Sequence, residues 1–98
     1  MTFSFHPEAE AEFNKAIDYY EEIESGLGFD FAIEVYSAIQ RSHTFPKAWP
    51  IIEGNIRRSL VRRFPFGILY SEEAEGIFIA AVMNLHRHPE YWKGRKEK

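Results

Sequence analysis

Apolar and polar residues change their spacing once along this chain of 98 residues, and the change splits it into two halves. In the first half, Phe13, Ala16, Ile17, Tyr20 and Ile23 recur at three- and four-residue steps, which puts them on one helical face. Phe31, Ala32, Val35, Ala38, Ile39 and Ser42 repeat the pattern. The spacing predicts helices over Glu8–Glu24 and Leu27–Phe45. Pro7 suits a first helical position, and Glu8 and Glu10 fall in the first turn, where the helix dipole favours negative charge. His6 stands where Ser or Asp would be the usual cap. Gly26 closes the first helix and Pro46 ends the second. The short Ser25–Gly28 link makes the pair an antiparallel hairpin.

Ahead of the helices, "TFSF" alternates polar and aromatic residues and predicts a short strand. After Pro50 the period shortens. "IRRSLVRR", Ile56–Arg63, reads as a strand, and "FGILYS" resumes it after Pro65, which lacks a donor and belongs at a bend, a bulge or an edge. "SEEAEG" reads as an acidic turn. "IFIAAVMNL", Ile77–Leu85, is apolar at nearly every position and predicts a central strand covered on both faces. Tyr91 and Trp92 are expected to anchor a tail whose end, residues 93–98, frays. The sum is one α+β domain over residues 1–98. It is a two-layer sandwich, an antiparallel helical hairpin packed on a small antiparallel β-sheet of a first strand and a meander of about three.

Composition narrows the chemistry. The chain has no cysteine, which excludes disulfides, thiolate metal sites and cysteine nucleophiles and suits a reducing cytoplasm. The longest apolar run, Ile77–Met83, is far too short to span a bilayer, and "MTFSFHPEAEAEF" does not read as a signal peptide. Neither a membrane role nor a cofactor is expected. Charge is uneven. Residues 1–49 hold three basic and nine acidic residues, net -6, and residues 50–98 hold nine basic and six acidic, net +3, which together give the formal -3. Solvated helix faces explain most of the acidic half. They do not explain Arg57, Arg58, Arg62 and Arg63, packed into seven positions.

On a strand over Ile56–Arg63, Arg58, Leu60 and Arg62 share one face, and Arg57, Ser59, Val61 and Arg63 share the other. One face then displays two guanidiniums about 13–14 Å apart, suited to carboxylate or phosphate. Pairing with helix glutamates is the plainer alternative, above all for Arg57 and Arg63. In "NLHRHPEYW", His86, Arg87 and His88 supply groups for acid–base work and phosphate binding, against a plain surface or structural role. A metal site is not expected, because His86 and His88 would point to opposite faces of a continuing strand and no thiolate is present. Motifs for nucleotide binding, zinc hydrolysis and serine catalysis are absent.

The order of parts, with "PEAE" opening the first helix, "YY" and "GLG" at the hairpin, "FPFGILY", and "AVMNLHRHPEYW", resembles the RelE/ParE superfamily of toxins from type II toxin–antitoxin modules, on its ParE-like branch. The resemblance covers about Phe3–Trp92. It implies the two-helix-on-sheet fold and a cognate antitoxin that wraps and neutralises the chain in a plasmid-stabilisation-like system. It also implies a branch choice, between inhibition of DNA gyrase in ParE-like members and ribosome-dependent cleavage of mRNA in RelE-like ones. For the nuclease, the resemblance places phosphate-handling residues at Arg58, Arg62 and Arg87, with His86 or His88 as substitutes for proton transfer. Leu60 replaces the basic side chain at the general-base position, and Gly67 replaces a further arginine. Arg57, Arg58, Arg62, Arg63, Tyr91 and Trp92 are the candidates for partner contact. The reading favoured is a gyrase-inhibiting toxin. Its alternatives are a RelE-type endoribonuclease acting on the ribosome and mRNA, and an inactive remnant that only binds antitoxin.

Overall fold

The computed structural model describes residues 2–95. The order is β1 (Phe3–Phe5), α1 (Pro7–Ile23), α2 (Leu27–Thr44), β2 (Ile51–Glu53), β3 (Ile56–Leu60), β4 (Phe66–Glu73) and β5 (Gly76–Asn84). The strands form one sheet in the order β1-β5-β4-β3-β2. From β2 to β5 the chain is an antiparallel meander, as the strand-like half predicts. The sheet is nonetheless mixed, because β1 pairs parallel to β5, Phe3 opposite Ile77. The helical hairpin carries the chain from β1 to the opposite edge, and four strands then step back to meet it.

The helices are where their apolar periods put them. Pro7 occupies the first turn of α1, and His6 caps it after all: its Nδ1 accepts the Glu8 N–H at 3.0 Å. Gly26 is left-handed (φ 90°) and has no side chain to cap α2. Glu21 of α1 supplies the cap instead, accepting the N–H groups of Gly26 and Gly28 at 2.9 and 3.0 Å. At Gly28 the two helices come close together, since a Cβ there would lie 2.6 Å from the Ile17 carbonyl oxygen.

Both inner stripes, with Ala9, pack on one face of the sheet through Ile68, Tyr70, Ile77, Ile79 and Val82. Large rings fill this core. Phe31 meets Phe66 at 4.9 Å and Tyr20 meets Phe64 at 4.8 Å between centroids. Edge contacts of this kind add about 0.5–1.5 kcal/mol each beyond area burial. Ile23 departs from the expected stripe. It lies at the last turn of α1 and is exposed.

Ile77–Met83 are buried on both faces, and β5 is an interior strand between β1 and β4, but it ends at Asn84, so Leu85 begins a turn. The acidic turn is shorter than expected, with β4 running to Glu73 and only Ala74 and Glu75 between the strands. The strand expected over Ile56–Arg63 stops at Leu60. The bend before Pro65 takes Arg62 and Arg63 off the sheet, and Arg63 has φ 73°. Strand alternation therefore holds for Arg57 and Arg58 only. Lys93–Arg95 of the expected frayed end make ordered contacts, and residues 96–98 lie outside the described residues.

Candidate functional site

The register sorts the arginines. Arg57 faces Tyr70 on the helix side of the sheet. It donates to the Trp49 carbonyl at 2.7 Å and the Lys47 carbonyl at 3.4 Å, and Tyr70 donates to the Pro46 carbonyl at 2.8 Å. Together they brace the α2–β2 connection. Arg58 faces Leu69 on the other side. Its stem crosses Gly67, where a Cβ would meet Arg58 Cγ at 3.2 Å and Leu85 Cδ2 at 3.4 Å. Gly67 thus makes a slot for the Arg58 side chain, beside exposed Leu60.

Arg62 and Arg63 point elsewhere. Arg63 reaches Asp30 of α2 at 3.6 Å and lies over the Phe64 ring. Arg62 is exposed and lines a cleft with α2. Two guanidiniums on one sheet face, the arrangement expected for Arg58 and Arg62, are not what the loop produces.

The second cluster folds back on the molecule. Trp92 is buried against Leu69, Ala81 and Met83, with its indole N–H donating to the Pro89 carbonyl at 2.7 Å. The face of the sheet away from the helices is covered there by the tail. Tyr91 is half-buried, with the Arg87 guanidinium 3.8 Å and the Arg95 guanidinium 5.1 Å from its ring centre. Its hydroxyl is buried beside Glu12 without meeting hydrogen-bond geometry. Burial first, and the Glu12 carboxylate second, hold its phenol well above the ordinary tyrosine range. His88 accepts the Glu90 N–H at Nδ1, 3.2 Å, and so braces the tail turn. His86 is exposed, and its backbone N–H donates to Asn84 Oδ1 at 2.8 Å.

Glu12, Arg95 and Arg41 matter here and sequence reasoning passed over them. β1 covers β5 only as far as Ile79, whose carbonyl accepts the His6 N–H at 2.8 Å. Past that point Glu12 of α1 takes the strand's place. Its Oε1 accepts the Val82 N–H at 3.0 Å, while Arg95 donates to Glu12 at 2.9 and 3.2 Å and to the Ala80 carbonyl at 2.9 Å. The register shifts at this point, with Leu69 opposite Ala81 and Tyr70 opposite Ile79, so Ala80 is the extra residue of a bulge. Arg87 approaches Glu12 at 4.0 Å. Glu12 sits at the helical steps from Ala9 and to Ala16, which are buried, and that spacing was the signal available.

Beside this latch runs a groove of about 430 Å³ between α1 and the end of β5. Tyr19, Tyr20, Phe66 and Val82 give it apolar walls, and Lys15, His86 and Arg87 give it a basic rim. Its form is that of a binding groove with charged edges. Among the described residues, no group of three or more His, Asp or Glu side chains is placed to hold a metal ion, and no helix is long and apolar enough to cross a membrane.

No family model and no curated protein matches the sequence. A comparison of folds does match: a chain of the chromosomal ParDE TA system from P. aeruginosa superposes with a TM-score of 0.73 at 12% identity, over 88% of this chain and 97% of that one. The helical hairpin on a small sheet is therefore the fold of a chain from a ParDE TA system.

Proposed function

We propose that the chain is the toxin of a type II toxin–antitoxin pair, held inactive by a cognate antitoxin and acting in the cytoplasm on DNA gyrase. The observation that carries the reading is the fold shared with the ParDE chain across nearly all of both molecules. The antitoxin segment belongs in the groove between α1 and the end of β5, where Tyr19 is 62% exposed. Residues that would serve the alternative, mRNA cleavage, are dispersed. Arg58 lies on the sheet face, Arg62 beside α2, and Arg87 against Glu12 and Tyr91. A cleaving site needs a base and cations converging on one phosphate. Trp92 and Tyr91 cover part of the sheet face that a RelE-type substrate would use. The test pairs gyrase supercoiling with purified protein against primer extension on a cellular message after induced expression. Inhibited supercoiling without codon-phased cuts supports the reading. Cuts that vanish on replacing Arg58 or Arg87 establish the nuclease instead. Neither effect, with antitoxin binding intact, leaves the inactive remnant.

A further inference from the structure

The bend after β3 turns Arg62 toward α2, into a cleft of about 330 Å³ lined also by Ser37, Gln40, Arg41, Thr44 and Phe45. Arg41 is fixed there by donating to the Leu60 carbonyl at 3.4 Å, which leaves most of its five N–H donors free. Among the described residues, Arg63, Arg87 and Arg95 all reach carboxylates, whereas Arg41 and Arg62 have none within 4.0 Å. Desolvation, and then the neighbouring charge of Arg62, push the Arg41 guanidinium below its ordinary range, and Glu34 only partly opposes them. Two guanidiniums lining one cleft repel each other, and an anion between them would relieve the repulsion.

We propose that this cleft binds the phosphate group of a small nucleotide-sized ligand, with Arg41 and Arg62 on the phosphate oxygens and the Phe45 ring against the base. Two planar forks plus the hydroxyls of Ser37 and Thr44 and the amide of Gln40 offer more donors than one carboxylate has lone pairs to use, and match the oxygens of a phosphate. Phe45 is 61% exposed at the cleft's edge, an unpartnered π-face of the kind on which bases stack. The ligand is small, not polymeric. The first half of the chain, which includes α2, carries a net -6, and Asp30 and Glu34 lie on α2 itself, so a long polyanion is repelled.

The experiment is a titration of ¹⁵N-labelled full-length protein with inorganic phosphate, AMP and a short Glu-rich peptide, followed by NMR. AMP should give saturable shifts at Ser37–Phe45 and at Arg62, and bind about tenfold more tightly than inorganic phosphate, in line with the worth of one stacked base. Arg62→Gln should weaken both about tenfold, the scale of one lost charge-assisted contact. Phe45→Ala should bring AMP down to the level of inorganic phosphate. Arg62 sits on an exposed bend, so its substitution leaves the fold intact, and Arg41→Gln gives a second reading of the same loss. Three results overturn the proposal: no saturable shift in this region, AMP binding unchanged in Arg62→Gln, or tighter binding of the Glu-rich peptide than of AMP. Equal affinity for phosphate and AMP overturns its nucleotide part.

Discussion

Glu12 ties a helix, a strand edge and the chain's tail together through one carboxylate. Its side chain is 15% exposed and that of Arg95 is 9% exposed, so both charges are largely out of water. Breaking such a pair strands the remaining charge and costs more than the pair's net worth. Glu12→Gln should therefore lower the stability of the free protein by about 2 kcal/mol, read as a lower urea midpoint at unchanged slope. A double-mutant cycle with Arg95→Met should return a coupling of about 1–3 kcal/mol. Additive effects would show that the two residues act apart. Tyr91, beside them, offers a test by pH. Its phenol has a raised pKa in the folded chain, so the neutral form is favoured there. The stability this gives is whole below pH of about 10, the unfolded tyrosine value, and declines above it as unfolded chains ionise first. Tyr91→Phe should be nearly neutral at pH 7, because the hydroxyl lacks a hydrogen-bond partner. Above pH 10 it should remove one proton's share of the alkaline decline, about 1.4 kcal/mol per pH unit. An alkaline slope identical to that of the unsubstituted protein would show that Tyr91 titrates normally.

At the scale of elements, capping gives the plainest check. His6→Ala should cost about 1 kcal/mol by leaving the Glu8 N–H without its acceptor, and His6→Ser should recover most of it. Equal losses in the two would mean that the imidazole's contact with Phe78, not the cap, is what counts. The elements also show what the sequence made readable. Both helices and β5 were legible because their patterns are long and unbroken, with six stripe positions on α2 alone. β2 was not, since Ile51–Glu53 is three exposed residues with a shifted register and no alternation to detect. The parallel placement of β1 follows from how the hairpin crosses the sheet, which no local spacing encodes. The arginine cluster was half legible. Alternation places Arg57 and Arg58 on opposite faces, as observed, but it ends at Leu60, because the bend before Pro65 takes Arg62 and Arg63 off the sheet. His88 spends its Nδ1 on the Glu90 N–H, a local turn contact that no spacing reveals.

For the whole molecule, the uneven charge is resolved by where the cations sit. Arg57 binds carbonyls, Arg63, Arg87, Lys93 and Arg95 meet carboxylates, and the basic half of the sequence leaves few guanidiniums free on the surface. Among the described residues the cations do not form one continuous basic face, so association with a partner through the α1–β5 groove should rest on apolar contact more than on long-range attraction. Tyr19 is the side chain to test. It is exposed at the groove and meets the Tyr20 ring edge-on at 5.1 Å, so its removal costs little stability. Tyr19→Ala should weaken binding of a cognate antitoxin peptide at least tenfold while shifting the free protein's stability by only about 1 kcal/mol. The loss should be nearly the same in low and high salt, because a buried ring is not screened by ions. Lys15→Ala, on the rim of the same groove, should give a smaller loss that disappears in high salt. If Tyr19→Ala binds as tightly as the unsubstituted chain, the antitoxin lies on another surface, and the exposed Phe29, Ile33 and Tyr36 of α2 become the next to replace.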